Sequence, residues 1–513
     1  MAGLFLAGQP GFASTAATPY VYHGVDAPDA QPTGRWAERT ASAGDLNGDG
    51  TPDIWVGAPS LDVGTMTNAG RVYAVSGTSL VSGSTPTILY TIDDPEPQPS
   101  AQFGFFISNV GDSNADGKAD IVIGTDAQDI ELVPGACTFP SAPEPNNCNE
   151  NQGKAWLFNG ANGAMIRAFD NPNPQGASNN SARFGSRIGQ AKKGKWVIIG
   201  ASGNDSPPGC GNTSPVPAGC RKDQGQAFIF NVKTGALVRT LDMPAADRIP
   251  ATCSSSCGSF GLSVQGPGDT DGDGIVDQMV AAGSYNYYTG SGTPCGDPEP
   301  NGCNETQGRM YVFSGATGAL LLSIDDPVPQ VNVNFGFQDA APLSPGDVNG
   351  DGFADLYGNG FTQNGPAGQA DGGRAWVFNG KTGAVLYELL DPTPTVGGQF
   401  GWSMAKTDYN LNGKPDLYVG SSPHHLAGPP DQSGGTYVFK GSNGAVFKIL
   451  ELGVADRQPG GPPTLGLGSN LGWSIAAPGD LNGDGNPDYV AGTPFQDVGT
   501  NQDQGVEWVF LSQ

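Results

Sequence analysis

Short apolar segments of five or six residues recur along the whole chain, and each is bounded by glycine or by polar residues. Examples are DIWVGA at 53–58, DIVIGT at 120–125 and WVIIGA at 196–201. These segments are rich in β-branched and aromatic residues and are shorter than typical helices. Together with the glycine-rich turns between them, they predict β-strands.

The pattern is an internal repeat of about 72 residues. Each copy has an aromatic-glycine pair before a first strand (A), then the apolar strand just described (B). A glycine-aromatic strand (C) follows, such as GRVYAVSG at 70–77, and a short strand (D) ends in an acidic-proline turn. Seven copies of a four-stranded unit predict an all-β fold, a seven-bladed β-propeller, because a closed ring leaves no long sheet edge exposed.

The two ends of the sequence fit this ring. The last copy ends at its strand C, whereas residues 20–31 near the N-terminus match the pattern of strand D. We therefore predict that this N-terminal strand completes the last blade. Residues 1–18 are interpreted as a leader or flexible N-terminus, and residues 19–513 as a single propeller domain. No run of 18 apolar residues occurs, so no transmembrane helix is expected.

An acidic loop separates strands A and B in six of the seven copies. It places side-chain oxygens at its first, third, fifth and ninth positions and a backbone carbonyl at its seventh. Calcium prefers about six to eight oxygen ligands in a flexible geometry, so we predict about six Ca²⁺ ions. The predicted ligands are Asp45, Asn47, Asp49, Thr51 and Asp53; Asp112, Asn114, Asp116, Lys118 and Asp120; Asp269, Asp271, Asp273, Ile275 and Asp277; Asp347, Asn349, Asp351, Phe353 and Asp355; Asp408, Asn410, Asn412, Lys414 and Asp416; and Asp480, Asn482, Asp484, Asn486 and Asp488.

Other interpretations of the acidic loops fit less well. Magnesium favours water ligands and a tight octahedron, and an EF-hand needs a glutamate at the twelfth position, where this chain has Val56 and Ile123. A turn rich in Asp and Asn that binds no ion remains an alternative. The loop from Asp269 has four carboxylates and should be among the tightest calcium sites, whereas the loop from Asp408 has two and should be weakest.

Composition and charge narrow the functional classes. Glycine (80) and proline (43) are too frequent for a helical bundle, because both disfavour helix interiors. The formal net charge of −26 argues against a nucleic-acid partner, which needs a basic surface. Six Ca²⁺ ions would reduce this charge to −14 and relieve the repulsion between neighbouring carboxylates.

Eight cysteines form four close pairs along the chain: Cys137 and Cys148, Cys210 and Cys220, Cys253 and Cys257, and Cys295 and Cys303. An even number at short separations favours local disulfides and an oxidising, extracytoplasmic location, namely extracellular, cell-surface or periplasmic. Zinc is an alternative, but the cysteine spacing does not match the usual zinc motifs.

Three of the cysteine pairs lie in long B–C connections and the fourth lies in a D–A connection, so all should rim one face of the ring. Loops on a rigid scaffold commonly carry binding sites. Tyr285, Tyr287 and Tyr288 on that face are candidate ligand contacts. Alternatively, these tyrosines pack under their own loop. The pair His424 and His425 is interpreted as exposed and without a role.

The aromatic-glycine pair, the DxNxDGxxxD loop and the GAP-like end of strand B resemble FG-GAP repeats, as in the seven-bladed propeller of integrin α-subunits. The resemblance covers about residues 19–513. It implies a calcium-loaded, extracellular propeller that acts in adhesion or recognition. The leg domains and the partner subunit of integrins are not evident, so integrin-type ligand binding is not transferred.

These features favour a secreted or surface-displayed propeller that binds an extracellular protein or glycan. No GxSxG, HExxH or paired Cys-His motif is present, and the acidic loops account for most carboxylates. No catalytic residue is therefore assigned, and catalysis is the less favoured interpretation. A carbohydrate-active enzyme (a polysaccharide lyase or hydrolase) and a self-assembling subunit of an extracellular sheath or fibre are the alternatives.

Overall fold

The structure is a computed structural model, and almost every described element is a β-strand. It describes residues 20–512 except 82, 84, 132–147, 176–181, 207–220, 249–257, 289–302, 305, 338–343, 423–431, 454–455 and 457–467. Seven antiparallel sheets form a ring of blades, as the sequence predicts.

Blades one to four follow one another along the chain. The N-terminal strand β1 (Val21–Asp26) precedes them. Blade one contains β2 (Arg39–Gly44), β3 (Asp53–Ala58), β4 (Arg71–Val75) and β5 (Ile88–Asp93), and blade two contains β6 (Phe106–Gly111), β7 (Asp120–Thr125), β10 (Lys154–Phe158) and β11 (Met165–Phe169). Blade three contains β12 (Phe184–Lys192), β13 (Trp196–Ala201), β14 (Gln226–Asn231) and β15 (Leu237–Asp242), and blade four contains β16 (Phe260–Gln265), β17 (Gln278–Ala282), β20 (Arg309–Phe313) and β21 (Leu320–Asp325). Two short ribbons lie in B–C connections: β8 (Ile130–Glu131) with β9 (Cys148–Asn149), and β18 (Tyr287–Tyr288) with β19 (Cys303–Asn304). A short helix α1 (Gly77–Leu80) and a 3₁₀ turn (Ala245–Asp247) complete this part.

Blades five to seven continue the ring. Their strands are β22 (Leu356–Gly360), β23 (Arg374–Phe378) and β24 (Val385–Leu389) of blade five; β25 (Phe400–Thr407), β26 (Asp416–Ser421), β27 (Gly435–Phe439) and β28 (Val446–Leu450) of blade six; and β29 (Ser474–Gly479), β30 (Asp488–Thr493) and β31 (Val506–Leu511) of blade seven. The expected first strand of blade five falls largely in 338–343, outside the described residues. The N-terminal β1 pairs antiparallel with β31, with Val21 opposite Leu511 and Asp26 opposite Val506.

The hydrophobic core is divided among the joints of the ring. Seven clusters of buried side chains are found, one between each pair of neighbouring blades, including one between blades seven and one. Strands such as β3 and β7 are buried at every position because both of their faces pack on neighbouring sheets. This burial explains why strand B reads as a continuous apolar run rather than an alternating one.

The aromatic-glycine pairs join consecutive blades. The amide of Phe103 donates a hydrogen bond to Ala69 O (2.9 Å), and Gly70, at φ +84°, lies so close that a Cβ would be 2.1 Å from Phe103 O. At the joint between blades seven and one, Trp36 takes the place of the phenylalanine and its amide bonds to Gln504 O at 2.8 Å. Trp36 and Ala37 are therefore the first copy of the FG pair, which the sequence pattern alone does not reveal.

Candidate functional site

Each described acidic loop leads from a strand A to a strand B, so all six lie at one end of the ring. The first carboxylate of every loop organises the backbone. In blade four, the Asp269 carboxylate accepts hydrogen bonds from the amides of Gly272 (2.6 Å) and Gly274 (2.8 Å). The same pattern occurs at Asp45, Asp112, Asp347 and Asp480. The Asp408 carboxylate instead accepts from the amides of Asn412 and Gly413.

The carboxylates of blade four converge on one point. Oxygen atoms of Asp269, Asp271 and Asp273 lie within 4.8 Å of one another, and Asp271 and Asp273 are exposed. Within the described residues no other group of three acidic, histidine or cysteine side chains meets this criterion. Three converging hard oxygens on a loop with a free entrance fit a divalent cation with calcium's ligand preference. This is a loop for which the sequence predicts one of the tightest sites.

The ninth residue of each loop has a structural role that the sequence does not reveal. Asp277 is fully buried, and its two oxygens accept hydrogen bonds from Thr270 N (2.8 Å) and Gly315 N (2.7 Å). Asp53, Asp120, Asp355, Asp416 and Asp488 are bound in the same way. Burial raises the pKa of Asp355 and of Asp488 to about 6. The ninth carboxylate thus ties the loop to the end of strand C, and only its remaining lone pairs face any ion.

A glycine after strand C makes this contact possible. A Cβ on Gly160 would be 1.7 Å from Ala119 O, and a Cβ on Gly380 would be 1.7 Å from Ala354 O. The amides of both glycines bind the ninth carboxylate, at 3.0 Å and 3.2 Å. A glycine recurs at the end of strand C in the sequence, in VSG, FNG, FSG and FKG. This recurrence is the sequence pattern from which the contact with the ninth carboxylate could have been predicted.

Neighbouring loops touch through their seventh residues. Lys118 Nζ donates to Asp45 O in the loop of blade one at 2.6 Å, and the ring of Phe353 lies against Gly272 in blade four. The backbone amide of Ala354 also bonds to Asp269 O at 2.8 Å. The side chains at the seventh position, where only the carbonyl was predicted to matter, therefore link one loop to the next.

Blade three has a short hairpin in place of the acidic loop. Strands β12 and β13 are joined through Lys193, Gly194 and Lys195, and the amide of Gly194 donates a hydrogen bond to Val110 O at 2.6 Å. The ammonium groups of Lys192 and Lys195 lie 5.8 and 5.0 Å from the centre of the Trp196 ring. Blade three is the one copy in which the sequence lacks the acidic loop.

The centre of the ring contains a channel of about 420 Å³. Its wall is formed by the first strands of the blades, and residues of all seven blades contribute. The charged side chains of the described wall are Arg39, Lys193 and Lys406, so the wall is basic in a chain with a net charge of −26.

An aromatic belt lies at the channel mouth opposite the acidic loops. It consists of Phe337, Phe361, Trp402, Trp473 and Phe495, whose consecutive ring centres are 4.6–5.5 Å apart. The Trp402 and Trp473 side chains are partly exposed, but their indole nitrogens are buried and have no hydrogen-bond partner among the described residues. The belt lies on the face that carries the B–C and D–A connections, because Trp402 and Trp473 stand near the start of their strands A.

The residues predicted as ligand contacts have different fates. Tyr285 is fully buried, and its hydroxyl accepts a hydrogen bond from Arg309 Nη1 at 3.3 Å. Tyr287 and Tyr288 form β18 and pair with Asn304 and Cys303. The disulfides predicted for Cys137, Cys148, Cys210, Cys220, Cys253, Cys257, Cys295 and Cys303, and the pair His424 and His425, involve side chains outside the described part of the chain.

Comparison with known proteins identifies the repeat. The FG-GAP repeat family model matches residues 39–75, which contain β2, the first acidic loop, β3 and β4. A human phosphatidylinositol-glycan-specific phospholipase D is 34% identical over 116 residues, or 22% of this chain and 12% of that protein. Human integrin α-7 is 37% identical over 100 residues (20% and 8%), and mouse integrin α-3 is 36% identical over 107 residues (20% and 9%).

The chain therefore spans about a tenth of the length of these relatives. Proteins with different names match this chain over similar lengths. The similarity therefore identifies the shared repeat and does not assign an activity. In the described residues, no helix is long and apolar enough to cross a membrane. The match of the FG-GAP repeat model to one repeat, the integrin α relatives and the ring of seven blades show a seven-bladed β-propeller that contains an FG-GAP repeat and resembles the propeller of integrin α-subunits.

Proposed function

We propose that the protein is a secreted or cell-surface calcium-binding propeller that recognises an extracellular protein or glycan. The aromatic belt is the observation that carries the recognition role. The partly exposed members of the belt, Phe337, Trp402 and Trp473, suit both protein and sugar contacts.

Calcium has a structural role in this proposal. The first, third and fifth residues of each loop and the seventh carbonyl hold the ion, and the ninth carboxylate anchors the loop behind it. A site with calcium at about 100 times its Kd adds about 2.7 kcal/mol to the free energy of unfolding. Removal of calcium from about six such sites should therefore lower the melting temperature strongly.

Calorimetric titration of the chelator-treated protein tests the calcium sites. We expect about six bound ions, and we expect Asp273→Asn to weaken one of the tightest sites. The control Asp371→Asn changes an exposed acid outside the acidic loops and should leave all sites intact. An unchanged melting temperature after chelation would remove the calcium assignment.

The extracellular location is supported by the paired cysteines and the acidic surface. The recognition role is tested by incubating the calcium-loaded protein with panels of extracellular proteins and polysaccharides. Retained protein and released products are measured together. Trp473→Leu should reduce retention, whereas Trp196→Leu, on a partly exposed tryptophan of blade three, should not.

Three results would contradict recognition through the aromatic belt. Equal retention of both tryptophan variants would place the contact elsewhere. Product release would indicate a carbohydrate-active enzyme, and concentration-dependent assembly without any ligand would indicate a structural subunit.

A further inference from the structure

Blade three is the basic part of an acidic molecule. Its residues 184–242 include eight of the 24 basic residues of the chain but three of the 50 acidic residues. The blade therefore has a formal charge of +5, whereas the whole chain has −26. A local charge of this sign attracts anions even when the net charge of the protein repels them.

The acids and bases of blade three lie at opposite ends of its sheet. Asp242 ends β15 opposite Gln226, at the start of β14, and the amide of Asp223 donates to the Asp205 carboxylate at 3.0 Å. These three acids are at the end that carries the B–C and D–A connections. At the other end, beside the acidic loops, residues 190–196 and 231–237 are described without a gap and include four lysines and no acid. The four are Lys192, Lys193 and Lys195 in the β12–β13 hairpin and Lys233 in the β14–β15 turn.

The hairpin and the turn form one continuous surface. The amide of Val232 donates a hydrogen bond to Lys195 O at 3.0 Å, so Lys195 and Lys233 lie on adjoining segments. The guanidinium of Arg167, on the last strand of blade two, donates to Lys233 O at 2.5 Å and adds a fifth cation. The basic patch is defined by these five residues: Lys192, Lys193, Lys195, Lys233 and Arg167.

The charges of the basic patch are accessible to a partner. Lys193, Lys195 and Lys233 are exposed, and Lys192 and Arg167 are partly exposed. In the part of the chain that the structure describes, none of the five forms an ion pair. The patch therefore presents positive charge to the solvent.

The neighbours of the basic patch restrict the shape of its partner. On one side, the bond from Gly194 N to Val110 O places the hairpin beside the acidic loop of blade two. On the other side, the amide of Gly266 donates to Gln190 O at 3.1 Å, next to the loop that begins at Asp269. That loop has four carboxylates, so one bound Ca²⁺ would leave it with two negative charges. A broad anionic surface such as a membrane would meet this loop and be repelled, whereas a single anionic chain can contact blade three alone.

We propose that the basic patch binds an anionic polysaccharide. Lysine ammonium groups act as mobile point charges, which suits sulfate or carboxylate groups spaced along a flexible chain. A polysaccharide is favoured over a nucleic acid by the extracellular location proposed above, and the inference rests on that location. The patch and the aromatic belt are at opposite ends of the ring, so this binding surface is additional to the belt.

Titration calorimetry of the full chain in saturating calcium tests the basic patch. The probe is dextran sulfate, with dextran as the neutral chain of the same backbone. We expect dextran sulfate to bind, more weakly as salt is added because exposed charges are screened, and dextran to produce no binding heat. The double variant Lys195→Gln/Lys233→Gln removes two contacts to sulfate groups and should weaken binding by about fivefold to tenfold.

A matched double variant separates the basic patch from charge in general. Lys381 has the position in the strand C–D turn of blade five that Lys233 has in blade three, and Lys440 lies in the same turn of blade six. Lys381→Gln/Lys440→Gln therefore removes the same charge at the same end of the ring and should leave binding nearly unchanged. Trp473→Leu, in the aromatic belt, should also leave it unchanged, and thermal melts establish that each variant is folded.

Four results would overturn the proposal. Dextran sulfate does not bind, or the two double variants lose affinity equally, so that binding follows net charge alone. Binding disappears on chelation of calcium but is insensitive to Lys195→Gln/Lys233→Gln, which would place the anion on ions held by the acidic loops. Finally, double-stranded DNA or phosphatidylserine vesicles bind more tightly than dextran sulfate, which would assign the patch to a nucleic acid or a membrane. Comparison of the lysine variants with and without calcium distinguishes failure of this proposal from failure of the calcium sites.

Discussion

The fourth residue of each acidic loop illustrates how one backbone angle restricts a sequence position. Gly48, Gly272, Gly350 and Gly483 have φ between 78° and 85°, in the left-handed region. Ala115 and Leu411 occupy the same position in the other two loops, with φ of 69° and 55°. A residue with a Cβ is strained in this region by about 1–2 kcal/mol, so these two loops carry a local penalty.

We expect Leu411→Gly to stabilise the protein. Glycine removes the strain of about 1–2 kcal/mol but loses about 0.5–1 kcal/mol through the greater freedom of the unfolded chain. The net increase in the free energy of unfolding should be about 0.5–1 kcal/mol, measured by denaturant titration in saturating calcium. Val396→Gly is a matched control, because Val396 and Leu411 are both 60% exposed and only Leu411 has a positive φ. Destabilisation by Leu411→Gly equal to that of the control would contradict the strain argument.

At the scale of the elements, each acidic loop is held by the blade behind it. The buried ninth carboxylate connects the loop to the turn after strand C, and the glycine in that turn allows the close approach of the two chains. Adjacent loops also touch, as Lys118 does with Asp45. The loop geometry that would receive an ion is therefore determined by the sheet and not by the loop alone.

We expect Gly160→Ala to destabilise blade two and its loop. A Cβ at this position would lie 1.7 Å from Ala119 O, a backbone atom that cannot move without shifting the loop. Overpacking of this kind costs about 1–3 kcal/mol. Urea unfolding should show this loss, and calorimetry should show weaker calcium binding at one site.

Gly34→Ala provides the control for this substitution. The nearest atoms to a Cβ on Gly34 would be 3.4 Å away, and neither Gly34 nor Gly160 has a positive φ. The two variants thus differ in contact and not in backbone strain. A loss at Gly160 no larger than that at Gly34 would mean that the loop adjusts freely.

The architecture was predictable from the sequence because its main signals are local. Strands B such as β3 and β7 are buried throughout since both faces are covered, and the acidic loop recurs in six of the seven copies. Contacts that depend on pairs of distant residues were not predictable. The roles of Trp36, Asp277 and Gly315, and the burial of Tyr285 against Arg309, require knowledge of which chain segments meet.

At the scale of the whole molecule, the joint between blades seven and one contains an unusual buried acid. Glu507 of β31 is fully buried, whereas the residues in the same place of blades one and two are Val72 and Ala155. Its carboxyl accepts a hydrogen bond from Thr40 Oγ1 of blade one at 2.6 Å. Burial raises the pKa of Glu507 to about 8, although the hydrogen bond from Thr40 opposes this shift.

The stability of the ring should therefore depend on pH through Glu507. The folded protein keeps this proton up to about pH 8, while the unfolded chain releases it near the ordinary value of 4.5. The contribution is present in full below pH 4.5 and is lost as the pH rises through 8. The free energy of unfolding should fall by up to about 1.4 kcal/mol per pH unit in this window, and by at most about 5 kcal/mol in total.

We expect Glu507→Gln to remove this dependence, because the amide keeps the size of the side chain and has no proton to lose. The difference in unfolding free energy between the two proteins, measured by urea titration from pH 5 to pH 9 in saturating calcium, should shift steadily in favour of the variant. Asp326, with a pKa raised to about 7 by burial, titrates in both proteins and cancels in the difference. Parallel stability curves for the two proteins would mean that Glu507 is ionised in the folded ring, with the joint between blades seven and one admitting enough water to solvate it.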